Sequence, residues 1–366
     1  MALIWIEGFE KYGTTTAVDI TALLQTAGWY VYCGTELTDQ GYQRLRPVLM
    51  AGRFGGYAVT GSAPSPGSAY TSKLCRPITD STVVIGFALW YDSMRQTVAN
   101  VTIMDAFGDT NNSHNMVSFG AGNNGSLSVG RKAPGGQSVS LLTVSLGQPV
   151  VTPSSWHYVE LKVYFHATQG TVEIRLDGVS VGTVANVNTS CTLPSVATRW
   201  IEVDLQGIVQ YGGVDDLYIL DGTGSVNNDF LGPCFVSRIA PASDATANWT
   251  PSTAGSHFSL VNESPATDTG NVSSSTPDTT DLYDYGNLTN VRGIVGVQVD
   301  TVCKSQGQNH LKVPIVSGAT QDDGTSVFVV ASSDVSVVRI SETDPATGLP
   351  WTLAALNAAQ FGVKVG

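Results

Sequence analysis

Charged residues are scarce in this chain. They make up 13% of its 366 residues, and only 18 are Lys or Arg. Those basic residues are dispersed, and a net charge of −12 has the wrong sign for a nucleic-acid partner, because phosphate contacts need clustered Lys and Arg. Cysteine is sparse too. Cys33, Cys75, Cys191, Cys234 and Cys303 are odd in number and far apart. No C-x-x-C occurs, so neither a zinc knuckle nor a redox pair is indicated, and the thiols read as small apolar residues in reduced or partly buried sites. The opening MALIWIEGFE has no basic segment, and Glu7 interrupts its short apolar run. A signal peptide and a membrane span are therefore not expected. Heptads and long-period repeats are missing, so no coiled-coil shaft is encoded. There is no P-loop, dinucleotide fingerprint or G-x-S-x-G elbow. The five histidines, His114, His157, His166, His257 and His310, are scattered.

What the chain does have is Gly (39 residues), abundant Ser and Thr, and a 42% hydrophobic fraction, the composition of an all-β protein rich in turns. The stretch WHYVELKVYFHATQGTVEIRLDGVSV (156–181) alternates with period two. Val159, Leu161, Val163 and Phe165 share one parity, and Glu160, Lys162 and Tyr164 the other. Val172, Ile174 and Leu176 repeat the pattern before the turn Asp177-Gly178. This is a half-buried antiparallel meander. Further strands are expected at 3–6, 57–60, 83–91, 100–107, 116–120, 127–129, 139–144, 201–210 and 214–220, with one short helical turn at 21–26. Residues 83–90 are apolar at nearly every position, as in a central strand covered on both faces. Strands at this spacing fit a two-sheet jelly-roll sandwich over residues 1–235.

From 236 to 281 Pro, Ser, Thr and Asp dominate, and such a segment is expected to be an extended arm or linker. A small β domain follows at 282–366, with strand-like stretches at 291–302, 310–316 and 326–340. Thr352 is placed to cap one short amphipathic helix carrying Leu353 and Leu356, with Phe361 close behind. Trp351, Leu353, Leu356 and Phe361 are the expected anchor or oligomerisation residues.

Three kinds of site can be weighed from the residues. Glycoside hydrolysis needs two carboxylates at a fixed separation, one protonated and one ionised. Glu202-Val203-Asp204-Leu205-Gln206-Gly207 places glycine where a third acid would complete E-x-D-x-x-E, so Glu202 and Asp204 read as a solvated strand face beside inward Ile201, Val203 and Leu205. Asp105, Asp109, Asn111, Asn112 and Asn115 crowd one loop with Gly108. Their oxygens would suit Ca²⁺, but the spacing matches no EF-hand, and such clusters are first of all turn formers. Asp215-Asp216 offers a similar choice between ligands and a capped turn. For sugar binding an exposed aromatic beside polar groups is required. Tyr30, Tyr32, Trp90, Tyr91 and Tyr211 qualify by type, although strand aromatics usually pack in cores. No cofactor is expected.

Gly8-Phe9-Glu10, the stretch Trp156-His157-Tyr158-Val159-Glu160-Leu161-Lys162-Val163, the strand ending Leu176-Asp177-Gly178-Val179 and the late strand Val214-Asp215-Asp216-Leu217-Tyr218-Ile219-Leu220-Asp221 resemble concanavalin A-like (laminin-G-like) lectin and glucanase sandwiches. The block 221–232, Asn248-Trp249-Thr250-Pro251-Ser252, Asp281-Leu282-Tyr283-Asp284-Tyr285 and the ending 344–364 are similar to structural proteins of tailed bacteriophages. The resemblance implies a concanavalin A-like jelly roll, an extended linker and a small C-terminal β domain with one helix. It further implies a non-enzymatic virion component, such as a decoration, head-fibre or tail-associated subunit assembled in the host bacterial cytoplasm. Its partners would be its own copies and other capsid or tail proteins. The alternative is a receptor-binding module for host surface glycan, and a third reading, a glycan-degrading enzyme, needs the missing carboxylate from another strand.

Overall fold

The structure, a computed structural model, describes residues 2–366 except 14–15, 17–18, 34, 39–40, 45, 63–71, 93–96, 105–114, 123–125, 134–136, 146–150, 191–198, 206–211, 267–268, 306, 308 and 330–332; within strands it gives the backbone alone at 32–33, 35–38, 41–44, 62, 72, 91, 97–100, 104 and 115–122. The chain forms two compact units. Residues 1–9, 15–25 and 29–236 make the first, and 10–14, 26–28 and 237–366 the second.

The first unit is an all-β sandwich, as the alternation requires. One sheet runs in the order Val179–Val187, Gly170–Leu176, His157–Tyr164, Thr82–Tyr91, Gly212–Asp221, Tyr57–Ser62, Arg46–Ala51, with Leu3–Glu7 also pairing onto Gly212–Asp221. The other runs Ser138–Val144, Leu127–Lys132, Asn115–Gly122, Thr97–Met104, Arg199–Asp204, Ser72–Ile78, Tyr30–Cys33. All of these pairings are antiparallel. The meander pairs in the expected register, with Val159 opposite Leu176, Leu161 opposite Ile174 and Val163 opposite Val172, all buried. Its turn is fixed at Asp177 and Gly178, both at positive φ (51° and 83°). Asp177 Oδ1 accepts from Tyr158 N at 2.8 Å, and Oδ2 lies 2.8 Å from His157 Nδ1. The expected helical turn is the helix Thr21–Thr26, whose first residue donates its N–H to Asp19 Oδ1 at 3.0 Å.

The central strand Thr82–Tyr91 is buried from Val83 to Leu89, covered on both faces as its composition demands. Val83, Ile85, Phe87 and Leu89 share one parity, whereas Gly86 and Ala88 lie on the other, in line with Glu160 and Tyr158. Gly86 is also in register with Tyr218 on the far side. A Cβ there would clash with the Tyr218 ring, so glycine clears the path along which Tyr218 reaches two strands over to Glu160. Gly86→Ala should therefore cost about 1–3 kcal/mol, as overpacking does, read as a lower denaturation midpoint. The double variant with Tyr218→Ala should cost less than the sum of the two singles.

In the second unit one sheet has the order Pro241–Thr246, Thr280–Tyr285, Gln360–Val365, Asn309–Lys312, Val327–Val329. The hairpin Ile315–Ser317/Thr320–Asp322 joins it at Gln360–Val365, and Val297–Cys303 pairs separately with Val335–Ser341. Thr352 caps the helix Leu353–Ala358 as expected, its Oγ1 accepting from Ala355 N at 3.1 Å. Of the stretch 236–281, expected as an extended arm, residues 237–281 are instead built into this unit. The reason is a buried acceptor. Asp281 is fully buried and takes Asn248 N at 2.6 Å and Trp249 N at 2.7 Å on Oδ1, while His257 Nδ1 lies 2.6 Å from Oδ2 and Tyr283 Oη donates to it at 3.2 Å. Asp244 in turn accepts from His257 N and Phe258 N. Charge-assisted hydrogen bonds to main-chain donors organise a segment too polar to fold by burying apolar surface.

Candidate functional site

The outer faces of the two sandwich sheets carry the concentrated polar chemistry, and they differ in what covers them. On the seven-stranded sheet, Ile201, Val203 and Leu205 point into the core, as expected. The opposite parity brings Tyr30, Cys75, Glu202 and Thr102 into one cross-strand row, with Lys73 and Asp204 in the next. Glu202 is not solvated, contrary to the reading from sequence. It is buried and ion-paired with buried Lys73, Nζ to Oε1 2.8 Å. The sequence hid this because Lys73 lies on a strand far upstream of Glu202. Burial works against the Lys73 charge, but the carboxylates of Glu202 and Asp204 outweigh it and hold its pKa above the ordinary lysine value. Beside the pair, burial pushes the Cys75 thiol well up.

At the edge of the same face Tyr30 is 51% exposed, with its ring edge-on to Trp200 at 4.9 Å and 88°. Of the aromatics singled out from sequence, Trp90 is half-buried, and the side chains of Tyr32, Tyr91 and Tyr211 lie outside the described residues. Asp105, Asp109, Asn111 and Asn112 also lie outside them, as does the Asn115 side chain. Among the described residues no group of three or more His, Cys, Asp or Glu side chains could hold a metal ion.

The outer face of the eight-stranded sheet is closed by the chain itself. Tyr218 Oη donates to Glu160 Oε1 at 2.5 Å, and the same oxygen accepts from Gly232 N at 2.8 Å. Tyr158 stacks on Tyr218 and donates to the Asp216 carbonyl at 3.0 Å. Asp215 and Asp216, left from sequence between ligands and a capped turn, do not cap a turn. They are buried in mid-strand at a register shift, with Asp216 at φ 50°. Asp215 accepts from Arg53 N and Asp216 N, and Arg53 Nη1 lies 3.5 Å from Asp216 Oδ2. Burial, then the Asp216 charge, pushes Asp215 from 3.8 to about 7, against the pull of the two backbone donors and Arg53. Asp216 is also raised by burial. Burial likewise lifts the Tyr158 and Tyr218 hydroxyls far above the tyrosine range and Cys234 to about 12.

The remaining residues singled out from sequence are structural. His157 and His166 close strand ends. His157 Nε2 accepts from Thr152 N, and His166 Nδ1 accepts from Thr168 N and Gln169 N. Trp351, Leu356 and Phe361, expected as anchors for a partner, are 3%, 5% and 2% exposed in the second unit's own core. A side chain so enclosed has no surface to offer a partner, and of the four only Leu353 is partly open. Cys75, Cys234 and Cys303 are free thiols, and the side chains of Cys33 and Cys191 lie outside the described residues.

No family model matches the chain, and no curated protein matches it. Among solved structures it is similar to an endo-β-1,4-glucuronan lyase from the fungus Trichoderma reesei, at 16% identity over 53% of this chain and 91% of that one, with TM-score 0.37. It is similar to the carbohydrate recognition domain of Emp46p at 12% identity, 60% and 100% coverage and TM-score 0.37. A third is the carbohydrate esterase vb_24B_21 from the Shiga toxin-encoding bacteriophage phi24B, at 14%, 54% and 91%, with TM-score 0.33. At TM-scores under 0.5 these likenesses carry no argument, and the all-β sandwich is read from the strand order itself.

Proposed function

We propose that the outer face of the seven-stranded sheet is a non-catalytic carbohydrate-recognition surface, displayed by a structural protein of a tailed-phage particle. The observation that carries the recognition is Tyr30, half exposed and braced edge-on by Trp200, at the edge of a face on which Asp204 is partly open beside the buried Lys73–Glu202 pair. A sugar ring binds where an apolar aromatic face and fixed hydrogen-bonding groups meet. Bracing by Trp200 holds the phenol in place before a ligand arrives, which lowers the ordering cost of binding. Glu202 supports the non-catalytic reading, because a carboxylate engaged by a buried ammonium serves poorly as the proton donor that glycoside cleavage needs. The virion setting rests on the sequence resemblance of residues 221–364, and within it the second unit would attach the sandwich to the particle.

A glycan array followed by titration calorimetry tests this. Tyr30→Ala should weaken binding about tenfold, which is about 1.4 kcal/mol, with the melting temperature unchanged. Bacterial surface polysaccharides should yield no reducing ends. Turnover abolished by Glu202→Gln, or wild-type protein that binds no glycan on the array, would sink the reading.

A further inference from the structure

Residues 229–236 lie on the eight-stranded sheet as a bound peptide lies in a receptor. Their main chain makes the polar contacts. Leu231 N donates to Tyr218 Oη at 3.2 Å, Gly232 N to Glu160 Oε1 at 2.8 Å and Val236 N to Asp216 Oδ1 at 2.8 Å, and the Cys234 carbonyl accepts from Arg53 Nη1 at 3.1 Å. Side chains secure both ends. Asp229 meets Lys162 Nζ at 3.0 Å, Phe230 lies 4.0 Å from the Arg175 guanidinium, and Phe235 packs edge-on to Phe54 at 5.9 Å. Backbone capture along the middle with side-chain selection at the ends is how folded domains recognise extended segments.

The groove is poorly suited to standing empty. Glu160 is fully buried with Oε2 lacking a hydrogen-bond partner, and Asp216 is 3% exposed with Oδ2 3.5 Å from the Arg53 guanidinium. Removing the segment would strip the other oxygens of their backbone donors as well, which buried polar groups tolerate badly. The segment itself is reached through 222–228, a strand-free and largely exposed connection with Gly224 at φ 81° and Asn227 at φ 54°. It is followed directly by Ser237–Gly366, the C-terminal and largest part of the second unit. Every contact just described joins the groove to residues 229–236, so an identical copy satisfies all of them.

We propose that this groove also accepts residues 229–236 of a second copy of the chain, giving a two-fold dimer in which the strap, and residues 237–366 behind it, are exchanged. The contacts of the closed monomer are then all remade, and the connection 222–228 is the part that changes conformation. Such an exchange is isologous, each copy giving and receiving the same segment. A foreign peptide would have to reproduce Asp229, Phe230, the positive-φ glycine at 232 and Phe235 together, which favours the chain's own segment as occupant.

Two complementary full-length variants test this. One weakens the groove (Lys162→Ala, Arg175→Ala, Tyr218→Phe), and the other disables the strap (Asp229→Ala, Phe230→Ala, Gly232→Pro). Proline at 232 removes the N–H that Glu160 accepts and cannot adopt φ 78°. Each variant alone should be monomeric by light scattering, with amides of 231–236 exchanging at least tenfold faster than in wild type. Refolded together at equal concentration, they should form a 1:1 heterodimer in which the intact strap regains slow exchange on the intact groove. A mixture that stays monomeric with fast exchange overturns the proposal. So does self-dimerisation of the strap-disabled variant, since another surface would then be responsible. Circular dichroism of each variant confirms folding beforehand, and Arg175→Ala alone replaces the triple variant if that one does not fold.

Discussion

Replacing Trp351 with alanine should lower the stability of the second unit by about 3–5 kcal/mol, the range for removing a large aromatic from a packed core. Trp351 is 3% exposed and belongs to a cluster with Ile315, Val313, Leu356 and Phe361. Its ring lies 6.4 Å from Phe361, which packs edge-on against Tyr285 at 5.3 Å. The indole Nε1 is buried without a hydrogen-bond partner, so the contribution comes from packing and apolar burial alone. Trp351→Phe, which keeps most of the ring area, should cost much less. Amide exchange across 297–365 in denaturant reads the loss, and the first unit's strands should keep their protection. A loss below about 1 kcal/mol, smaller than any buried aromatic truncation of this class, would show that the core collapses around the gap or that the side chain is open to solvent.

The second large effect is a dependence of the first unit's stability on pH. Asp215 and Asp216 are adjacent and buried, with Arg53 beside both. With Asp215 raised from 3.8 to about 7, the folded protein keeps a proton on this carboxyl between about pH 4 and 7 where the unfolded chain has released it. The folded state then binds more protons in that window, so stability falls as pH rises. The contribution is fully present below about pH 4 and is lost through about pH 7. Three units at ~1.36 kcal/mol each amount to about 4 kcal/mol. Asp216, also raised, acts in the same direction. Asp229, held below its usual value by the Phe230 N–H and Lys162 against the opposing effect of burial, acts oppositely and only in stronger acid. Denaturation midpoints from pH 4 to 8 should decline for wild type and flatten for Asp215→Asn. A wild-type midpoint that climbs over this range would contradict the assignment.

How much of this was legible depended on whether a contact is local. The meander, its Asp177-Gly178 turn, the two-sided central strand and the Thr352 cap each write their signal into a few neighbouring residues, and the structure has them where the pattern put them. The strands Tyr30–Cys33, Arg46–Ala51 and Ser72–Ile78 were missed because they alternate weakly and lie between Gly- and Pro-rich connections. The polar sites were legible only as residue types. Glu160 and Tyr218 sit in two segments that carried the sandwich resemblance, but that they bond to each other follows from Gly86 standing between them in register. Glu202 looked solvated because its partner Lys73 is remote. The stretch 236–281 looked like a linker because its folding rests on Asp281, one side chain in a segment otherwise poor in apolar surface.

The pairing of Leu3–Glu7 with Gly212–Asp221, which sets Leu3 against Leu220 and Ile6 against Tyr218, bears on how the protein is made. On a ribosome the first strand emerges long before its mate. At about 5–20 residues per second, the interval is roughly 10–40 s. Throughout that time Leu3 and Trp5, both buried at the end, have no sheet to join. The central strand 82–91 waits as well, since Gly212–Asp221 covers one of its edges. Synthesis therefore presents a nascent chain with apolar strands and unfilled edges, and rapid translation or a bound chaperone would shorten or shield that exposure.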